Sequence, residues 1–505
     1  MAQSNLTSGF IDLATYDELE KYMYGGADAT AYFVRETRKA TWFTQVPVVL
    51  SQQSGNAQFG QQNVSWNISR AGDYLLNTWL RVNVPQVTCT QALESVAGGN
   101  NTDQALCYTR NLMHNLVSRV QISFNDLVAQ QFGTQFLDFW AAFTVPASKR
   151  VGYDNMVGNV GFLTDPAVNG AAGGSTLGLT PATTAALGPA VGTVLNLPLP
   201  LFYTRDSGVA LPTAALPYND MKVSVDFRTL AQLVSVVTRD GAGNTALTPV
   251  GSANIGAPLA SANMGGAVAG SRNGAVANLA NVEMWSTYAI VSNQERKRMA
   301  CAPRDILIEQ VQTFNAQNFN VAAAGQVNNY DIRFSQAIKL LFFGVTNATS
   351  GGGTENAMSN RSNYTSRQPV AAVAGGVMTI NRQNGADPVD TTTLLYENTV
   401  RLGAMGSDYF SLVCPYYTAP TIPDITGFHL YSYSLDFICL DPLGSTNYGK
   451  LTNISLRVTA SADANVSSVL AQNGQILGNT FLFVASAVNN NIIRISGGAL
   501  GFPVL

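Results

Sequence analysis

The chain has 505 residues, of which only 12% are Asp, Glu, Lys or Arg, whereas about 25% is usual for soluble proteins. Its formal net charge of −3 disfavours a large nucleic-acid surface, because such a surface needs clustered Lys and Arg to displace counterions. The hydrophobic content of 46% excludes a largely disordered chain, and the length predicts roughly two to four domains that each bury a core.

The N-terminal region predicts a short helix. The first residues, MAQSNLTSGFIDLATYDELE, have no basic region followed by an apolar one, so we expect no secretory signal. Further along, Thr15 and Glu18 have the spacing of a capping box, and Gly25–Gly26 supply a stop. A second short, buried helix is predicted for FLDFWAAF at 136–143.

Most other segments alternate between apolar and polar residues with a period of two, which is typical of half-buried β-strands. The predicted strands are 74–84, 118–124, 221–228, 282–292, 306–314, 330–345, 430–437, 453–461 and 481–488. Strands do not alternate regularly with helices, so antiparallel sandwiches are favoured over a parallel α/β sheet. Apolar runs such as 338–345 are much shorter than the ~18–20 residues of a membrane span.

Three low-charge segments, 165–194, 239–280 and 347–388, predict long surface loops between strands. The best domain boundary is the charged, helix-like stretch 293–305. It separates two parts that each contain about eight strand-like runs, enough for one eight-stranded sandwich apiece. We therefore predict an arm at 1–27 and two sandwich domains at 28–292 and 293–505.

Catalytic motifs are weak in this sequence. The only histidines, His114 and His429, lie beside apolar strand-like segments, and we expect both to be structural. GSTNYGKL at 444–451 misses the phosphate-loop pattern because Leu451 replaces the required hydroxyl residue, so a tight turn is predicted. DGAGNTA at 240–246 lacks the strand–helix context of a nucleotide-binding motif, and Asp387 and Asp390 are expected to be surface carboxylates. No metal ligand set or cofactor site is predicted.

Neither the cysteines nor the basic residues indicate a catalytic or ligand-binding site. The five cysteines are too few and too scattered for a disulfide scaffold or a CxxC metal site; they are Cys89, Cys107, Cys301, Cys414 and Cys439. Reduced thiols in an intracellularly made protein are expected, with a Cys89–Cys107 disulfide left open. The densest basic cluster, 295–298, and the smaller one at 35–39 fit solvated segments better than phosphate sites. Most of the glycosylation sequons are expected to be coincidental; they include those at Asn5, Asn63, Asn67, Asn347, Asn360, Asn363, Asn453 and Asn465.

Long blocks of the sequence resemble the major capsid proteins of iridoviruses, especially those of invertebrate iridescent viruses, which belong to the double jelly-roll family of large DNA viruses. The blocks run from the first ten residues to the last, and they include TSGFIDLAT (7–15), YMYGGADATAYFVRETRKATWFTQVP (22–47), DFWAAFTVPASKRVGYDNMVGN (138–159), LPLPLFYTRDSGVALPTAALPYND (197–220), APTIPDITGFHLYSYSL (419–435) and NNNIIRISGGALGFPVL (489–505). The three low-charge segments do not carry the resemblance.

The resemblance implies an all-β double jelly roll: two eight-stranded antiparallel sandwiches with an N-terminal helical arm and long inter-strand loops. It further implies homotrimeric, pseudo-hexagonal capsomers that tile an outer icosahedral shell assembled in the host cytoplasm. Expected partners are further copies of the chain and minor capsid proteins, with the internal viral membrane nearby and no direct contact with nucleic acid.

By the same resemblance, 9–26 is the candidate inner arm, and Leu19, Tyr22 and Met23 are its docking face. The full set of candidate arm residues is Phe10, Ile11, Leu13, Leu19, Tyr22 and Met23. An ordinary amphipathic helix packed on its own domain is the alternative for this segment. For the whole protein, the main alternative is a β-sandwich carbohydrate-binding or adhesion protein, followed by an outer-membrane barrel and a jelly-roll enzyme.

Overall fold

The computed structural model describes most residues of the chain. They are 6–27, 29–35, 37, 39–85, 87–89, 104–164, 185–187, 193–239, 246–250, 264–266, 278–348, 361–366, 370–374, 377–381, 386–465 and 480–502. The chain divides into two compact units, Met1–Trp42 and Phe43–Leu505. The side chains of Cys89 and Cys107 lie outside the described set, so the Cys89–Cys107 disulfide stays open.

Helices form a minor part of the structure. They are α1 (Leu6–Ala14), α2 (Glu18–Tyr24), α3 (Leu112–Leu116), α4 (Thr134–Thr144), α5 (Ala147–Val157), α6 (Gly161–Thr164), α7 (Asn293–Cys301) and α8 (Cys414–Thr418). A π-helical turn, Tyr409–Val413, leads into α8, and 3₁₀ turns lie at 202–204, 207–209, 213–215, 230–232, 448–450 and 463–465. The helix predicted at 136–143 is confirmed as the central part of α4, and the boundary stretch 293–305 contains α7.

Antiparallel strands make up the rest of the regular structure. In the N-terminal part these are β1 (Phe43–Ser54), β2 (Val64–Asn67), β3 (Tyr74–Val84), β4 (Val87–Cys89), β5 (Gln104–Tyr108), β6 (Val117–Phe124), β7 (Leu127–Gly133), β8 (Ala185–Leu187), β9 (Thr193–Pro198), β10 (Met221–Phe227), β11 (Val234–Arg239), β12 (Ala246–Val250), β13 (Met264–Gly266) and β14 (Ala280–Val291). In the C-terminal part they are β15 (Arg304–Thr313), β16 (Gln317–Phe319), β17 (Val327–Asp331), β18 (Ala337–Asn347), β19 (Val370–Ala374), β20 (Val377–Asn381), β21 (Val389–Tyr396), β22 (Thr399–Gly406), β23 (Phe428–Ser432), β24 (Thr446–Asn447), β25 (Ile454–Ala460), β26 (Phe481–Ser496) and β27 (Ala499–Gly501).

The first sandwich contains eight strands in the order β7-β6-β10-β2-β1-β14-β3-β9. Strand β1 belongs to two sheets, because its residues 43–50 pair with β14 and its residues 51–54 pair with β2. Leu80 on β3, Ile122 on β6 and Val223 on β10 are fully buried in one core cluster. The alternation seen in the sequence therefore marks the inner faces of this sandwich.

The second sandwich combines the strand order β15-β26-β18-β23 with the strand order β17-β25-β21-β22. Its own core contains Phe343 and Val345 from β18, Leu456 and Val458 from β25, and Phe483 from β26. Stacking of Tyr330 on Phe483, with ring centroids 4.1 Å apart, joins the two sheets. Short strands β16, β24 and β27 extend the first of these sheets.

Strand β18 is buried on both faces and connects the two sandwiches. Phe343 faces the second core, where it contacts Phe410. The preceding Phe342 belongs to the first core, and it stacks on Phe139 and Phe143 of α4. Helix α4 thus fills the space between the sandwiches, which explains why its aromatic side chains are buried.

Two predicted strands are shorter than the sequence suggested. The run 330–345 is divided between β17 and β18, because Gln336 adopts a left-handed conformation with φ of 64° that interrupts the extended backbone. The run 430–437 forms a strand only through Ser432, after which Ser432 and Ser434 exchange hydrogen bonds in a turn. Alternation alone gave no sign of either break.

The three segments predicted as long loops contain strands where the structure describes them. Strands β12 from 239–280 and β19 and β20 from 347–388 join β11 and β5 in a five-stranded sheet. Strands β13 and β8 from two of the segments pair with β4 in a three-stranded sheet. Most of these short strands pair with a distant segment, which local sequence cannot predict. Apart from these strands, the pieces 361–366 and 386–388 and the ends of the three segments, the segments lie outside the described residues, as does most of 240–246.

Candidate assembly surfaces

The N-terminal arm presents apolar side chains to solvent. All six predicted docking residues are between 62% and 89% exposed; they are Phe10, Ile11, Leu13, Leu19, Tyr22 and Met23. Neither α1 nor α2 has a buried residue. Transfer of large apolar side chains out of water lowers the free energy. The exposed apolar side chains of these helices are therefore typical of a segment that docks onto a partner.

The predicted capping box is wrong in detail. Thr15 Oγ1 donates to Asp12 O at 2.7 Å and so closes α1, a helix that the sequence reading missed. The N-cap of α2 is Asp17, whose Oδ1 accepts from Glu18 N at 2.8 Å. Helix α2 begins at Glu18, which therefore cannot occupy the third helical position of a box. The predicted end of this helix at Gly25 is confirmed.

After the arm, the segment 29–42 exposes further apolar residues that the sequence did not lead us to expect: Tyr32, Phe33, Val34 and Trp42. Arg35 and Lys39 beside them are also exposed, and Arg38 lies outside the described residues. The interleaving of aromatic and basic residues in 32–42 could have indicated this surface.

A second apolar surface is the outer face of the sheet β1-β14-β3-β9. The strand register places Val49, Trp285, Trp79 and Pro198 side by side across the four strands. The two indole rings stack with centroids 6.1 Å apart and planes 14° apart. Successive side chains of a strand point to opposite faces, and each Trp is adjacent to a residue that is buried in the core. Both Trp side chains therefore lie on the outer face of the sheet.

Charges on this sheet face neutralise each other. Arg81 and Glu283 are cross-strand neighbours, and their side chains form an ion pair at 3.5 Å. Glu283 Oε2 also accepts a hydrogen bond from Trp285 Nε1 at 2.8 Å. A partner that covers this face needs no compensating charge, which lowers the cost of desolvation.

A third apolar surface lies at the π-helical turn and α8. Phe410 and Cys414 are buried and anchor the turn, and burial raises the pKa of the Cys414 thiol. Tyr416 and Tyr417 point outward, 69% and 77% exposed, with their rings 5.1 Å apart. Leu412 and Val413 are exposed in the same turn. The sequence reading missed this surface, although adjacent tyrosines after a proline gave a signal.

His114 belongs to a buried hydrogen-bond cluster around Asp138. Its Nδ1 lies 2.7 Å from Asp138 Oδ1, and its Nε2 lies 2.7 Å from the Tyr153 hydroxyl. Ser362 Oγ and Tyr364 Oη donate to Asp138 Oδ2 at 2.8 and 3.3 Å. In a Ser-His-Asp triad the serine would contact the histidine, whereas here it contacts the carboxylate. This arrangement ties the second half of the chain to α3, α4 and α5, and it has a structural role.

His429 is also held inside the protein. Its Nε2 lies 2.8 Å from Asp387 Oδ2, and its ring stacks on Phe343 with centroids 5.0 Å apart. Asp387, predicted as a surface carboxylate, is therefore a half-buried partner of this histidine, while Asp390 is exposed as predicted. The contact joins the two sheets of the second sandwich, because His429 lies on β23 and Asp387 lies just before β21.

The remaining charged motifs are structural as well. From the basic cluster 295–298, Arg296 forms a two-point ion pair with the buried Asp73, with N–O distances of 2.7 and 2.9 Å. The GSTNYGKL segment makes a 3₁₀ turn in which Asn447 Oδ1 accepts from Gly449 N, and a strand follows it where a phosphate loop would need a helix. The predicted tight turn is confirmed.

A buried ion cluster links the two halves. Glu309 on β15 accepts from Lys339 Nζ at 2.6 Å and forms an ion pair with Arg205 at 2.6 Å. Arg205 also lies over the Trp140 ring, 4.1 Å from its centroid. Two cations and one carboxylate from separate segments thus lock the junction of the sandwiches.

Within the described ranges, no group of three or more His, Cys, Asp and Glu side chains is placed to hold a metal ion. None of the described helices is long and apolar enough to cross a membrane. The buried sequon residues Asn347 and Asn363 are inaccessible to glycosylation in the folded chain, whereas Asn63 and Asn453 are exposed.

Two family models match nearly the whole chain. One is described as "Major capsid protein N-terminus" and matches residues 31–290. The other is described as "Large eukaryotic DNA virus major capsid protein" and matches residues 295–501.

Relatives match over their full length. The chain is 54% identical to the major capsid protein of Costelytra zealandica iridescent virus, with 100% of both chains covered. It is 53% identical to that of Tipula iridescent virus, covering 99% of this chain and 97% of the relative. It is 52% identical to that of Invertebrate iridescent virus 6, again with 100% of both covered.

Solved structures share the fold. A chain of the PBCV-1 virus capsid has a TM-score of 0.64 at 19% identity, covering 94% of this chain and 100% of that one. The Faustovirus major capsid protein has a TM-score of 0.61 at 13% identity, covering 97% and 98%. These neighbours are double jelly rolls, and the predicted all-β double jelly roll with N-terminal helices is confirmed.

Proposed function

The chain belongs to the major capsid proteins of large eukaryotic DNA viruses, and we propose that it forms homotrimeric, pseudo-hexagonal capsomers that tile an outer icosahedral shell. It is a structural protein of the virion that assembles with further copies of itself. Its role depends on shape and burial, and in this proposal it catalyses no reaction and binds no cofactor.

The observation that carries the proposal is the presence of two sandwiches in one compact unit. Four strands face four strands in the second sandwich, and eight strands form the first, all within Phe43–Leu505. Three copies related by a threefold axis supply six similar sandwiches. Six similar units around one axis give a nearly hexagonal outline, which can tile a surface through repeated side contacts.

Two apolar surfaces, one partly exposed and one exposed, support contact between copies. The Trp79–Trp285 sheet face and the Tyr416–Tyr417 turn lie in different parts of the chain, so they suit a head-to-tail contact in which one surface meets a different one on the next copy. Aromatic residues with few net charges are typical of the buried centre of protein interfaces.

For the N-terminal region, we propose that the arm at 1–27 lies on the inner side of the shell, next to minor capsid proteins and near the internal viral membrane. The exposed row Leu19, Tyr22 and Met23 supports a docking role. The domains 28–292 and 293–505 are proposed as the first and second jelly rolls, and assembly is proposed to take place in the host cytoplasm without direct contact to nucleic acid.

Electron microscopy of the purified full-length protein tests the capsomer proposal. Class averages are expected to show particles with threefold symmetry and a nearly hexagonal outline. Monomeric particles, or particles with another symmetry, would contradict it and would favour a monomeric β-sandwich adhesion protein.

A further inference from the structure

The arm helices, defined as residues 6–24, carry the net charge of the whole chain. The full chain has 28 Lys and Arg and 31 Asp and Glu. Residues 6–24 contain four acids, Asp12, Asp17, Glu18 and Glu20, and one base, Lys21. The rest of the chain therefore has 27 basic and 27 acidic residues and is formally neutral. A net charge of −3 is concentrated on 19 residues that also expose large apolar side chains.

Apolar and acidic groups follow a helical pattern on this segment. Leu6, Phe10 and Leu13 on α1 are spaced by four and three residues, so they share one side of the helix. On α2, Tyr22 and Met23 lie three and four residues after Leu19, so they share its side of the helix. Lys21 pairs with Glu18 at 2.8 Å, which leaves the other three acids to give the segment its net negative charge.

The combination of exposed apolar side chains and net negative charge on residues 6–24 discriminates between possible binding partners. An anionic lipid surface or a nucleic acid attracts basic segments and would repel this one. A second copy of the chain is a weaker candidate, because the rest of the chain is formally neutral and Arg296 of its densest basic cluster is already paired with Asp73. A groove with an apolar floor and a rim of Lys and Arg satisfies both the apolar row and the acids, as in other helix-in-groove contacts.

We propose that the arm helices dock in an apolar groove of a different protein, whose rim carries Lys and Arg. This inference rests on the proposed function, since it names the chemistry of the partner that holds the inner arm. The apolar row supplies the contact area, and the acidic residues orient the helices and favour this partner over the membrane.

Site-specific photo-crosslinking in assembled particles tests the proposal. A benzophenone side chain replaces Tyr22, which is 89% exposed, in the otherwise unchanged full-length chain. After irradiation, mass spectrometry identifies the attached molecule, and we expect a Lys- and Arg-containing peptide of a different protein. Attachment to a lipid, to an uncharged or acidic peptide, or to a peptide of this chain such as 35–39 overturns the proposal. Absence of any adduct overturns it too, since it would mean that the arm stays in solvent.

Charge variants with the same probe test the electrostatic part. The combined change Asp12→Asn, Asp17→Asn, Glu18→Gln and Glu20→Gln keeps side-chain size, and Asn in place of Asp17 can still cap α2. It should lower the adduct yield roughly tenfold. Lys21→Gln is the matched control, because it removes a charge without reducing the acidity, and the yield should stay the same or rise. An unchanged yield in the neutral arm would overturn the charge argument.

Failure of this inference is distinguishable from failure of the proposed function. If threefold particles and shells form but Tyr22 labels lipid, only the partner assignment is wrong. If no threefold particles form even without the probe, the capsomer proposal itself is wrong.

Discussion

At the scale of single residues, Asp138 is a buried side chain on which four hydrogen bonds converge. It accepts from His114, Asn111, Ser362 and Tyr364, and its own side chain is fully buried. Asp138→Ala leaves His114 and its neighbours without their acceptor inside the protein. We expect the free energy of unfolding to fall by about 3–5 kcal/mol, seen as a clearly lower melting temperature in calorimetry.

The control for Asp138 is Asp305→Asn. Asp305 forms an ion pair with Arg494 at 2.8 Å, and both side chains are more than half exposed. Exposed pairs contribute about 0–1 kcal/mol, so this variant should melt close to the wild type. Equal melting temperatures for the two variants would show that Asp138 has no special structural role.

Sequence reasoning reached part of this residue-level picture. The apolar surroundings of His114 and His429 correctly indicated buried, structural histidines. Their partners could not be predicted, because Asp138 is 24 residues from His114 and Ser362 is 224 residues from Asp138. Such pairs depend on how the two sandwiches pack, and no local pattern encodes that.

At the scale of elements, the junction helix α7 is held by Asp73 at the start of β3. Burial alone would raise the pKa of this carboxyl, but hydrogen bonds from Arg296 and from Val291 N–H outweigh burial and leave the pKa below its ordinary value near 3.8. A lowered pKa in the folded state stabilises the fold above the ordinary pKa, and that contribution is lost as the pH falls through the lowered value.

Asp73→Asn should therefore weaken the junction in a pH-dependent way. At pH 5–8 its melting temperature should lie roughly 2–4 °C below that of the wild type. Below about pH 4 the difference should shrink, because the wild-type carboxyl becomes protonated as well. A difference that stays constant from pH 7 down to pH 3 would contradict the role assigned to this ion pair.

The elements themselves were predicted well where alternation was long. The predicted strand 74–84 coincides with β3, and 481–488 is the first part of the longer β26. Alternation failed where the backbone changes conformation without a Gly or Pro, as at Gln336. It also failed for β12 and β19, which pair with each other only because the fold brings two distant segments together.

At the scale of the whole molecule, the low charge content fits a protein that works among its own copies. The Tyr416–Tyr417 surface is exposed and the Trp79–Trp285 face is partly exposed in a single chain, which is unfavourable unless neighbours cover them. The family resemblance of the sequence indicates this interpretation, whereas composition alone only excludes other classes.

Deletion of residues 1–26 tests the division of labour between the arm and the sandwiches. The arm belongs to a separate compact unit, so trimers should still form without it. Closed shells should form poorly, because the inner docking segment is missing. Size-exclusion chromatography measures the first property and electron microscopy the second; loss of trimers in the deletion variant would contradict the proposed role of the arm.

The molar mass of the purified full-length protein in solution tests the central claim most directly. Light scattering at micromolar concentration should give three times the chain mass of 53.6 kDa, because three double jelly rolls are needed to complete the capsomer. A stable species of 53.6 kDa over that concentration range would contradict the account.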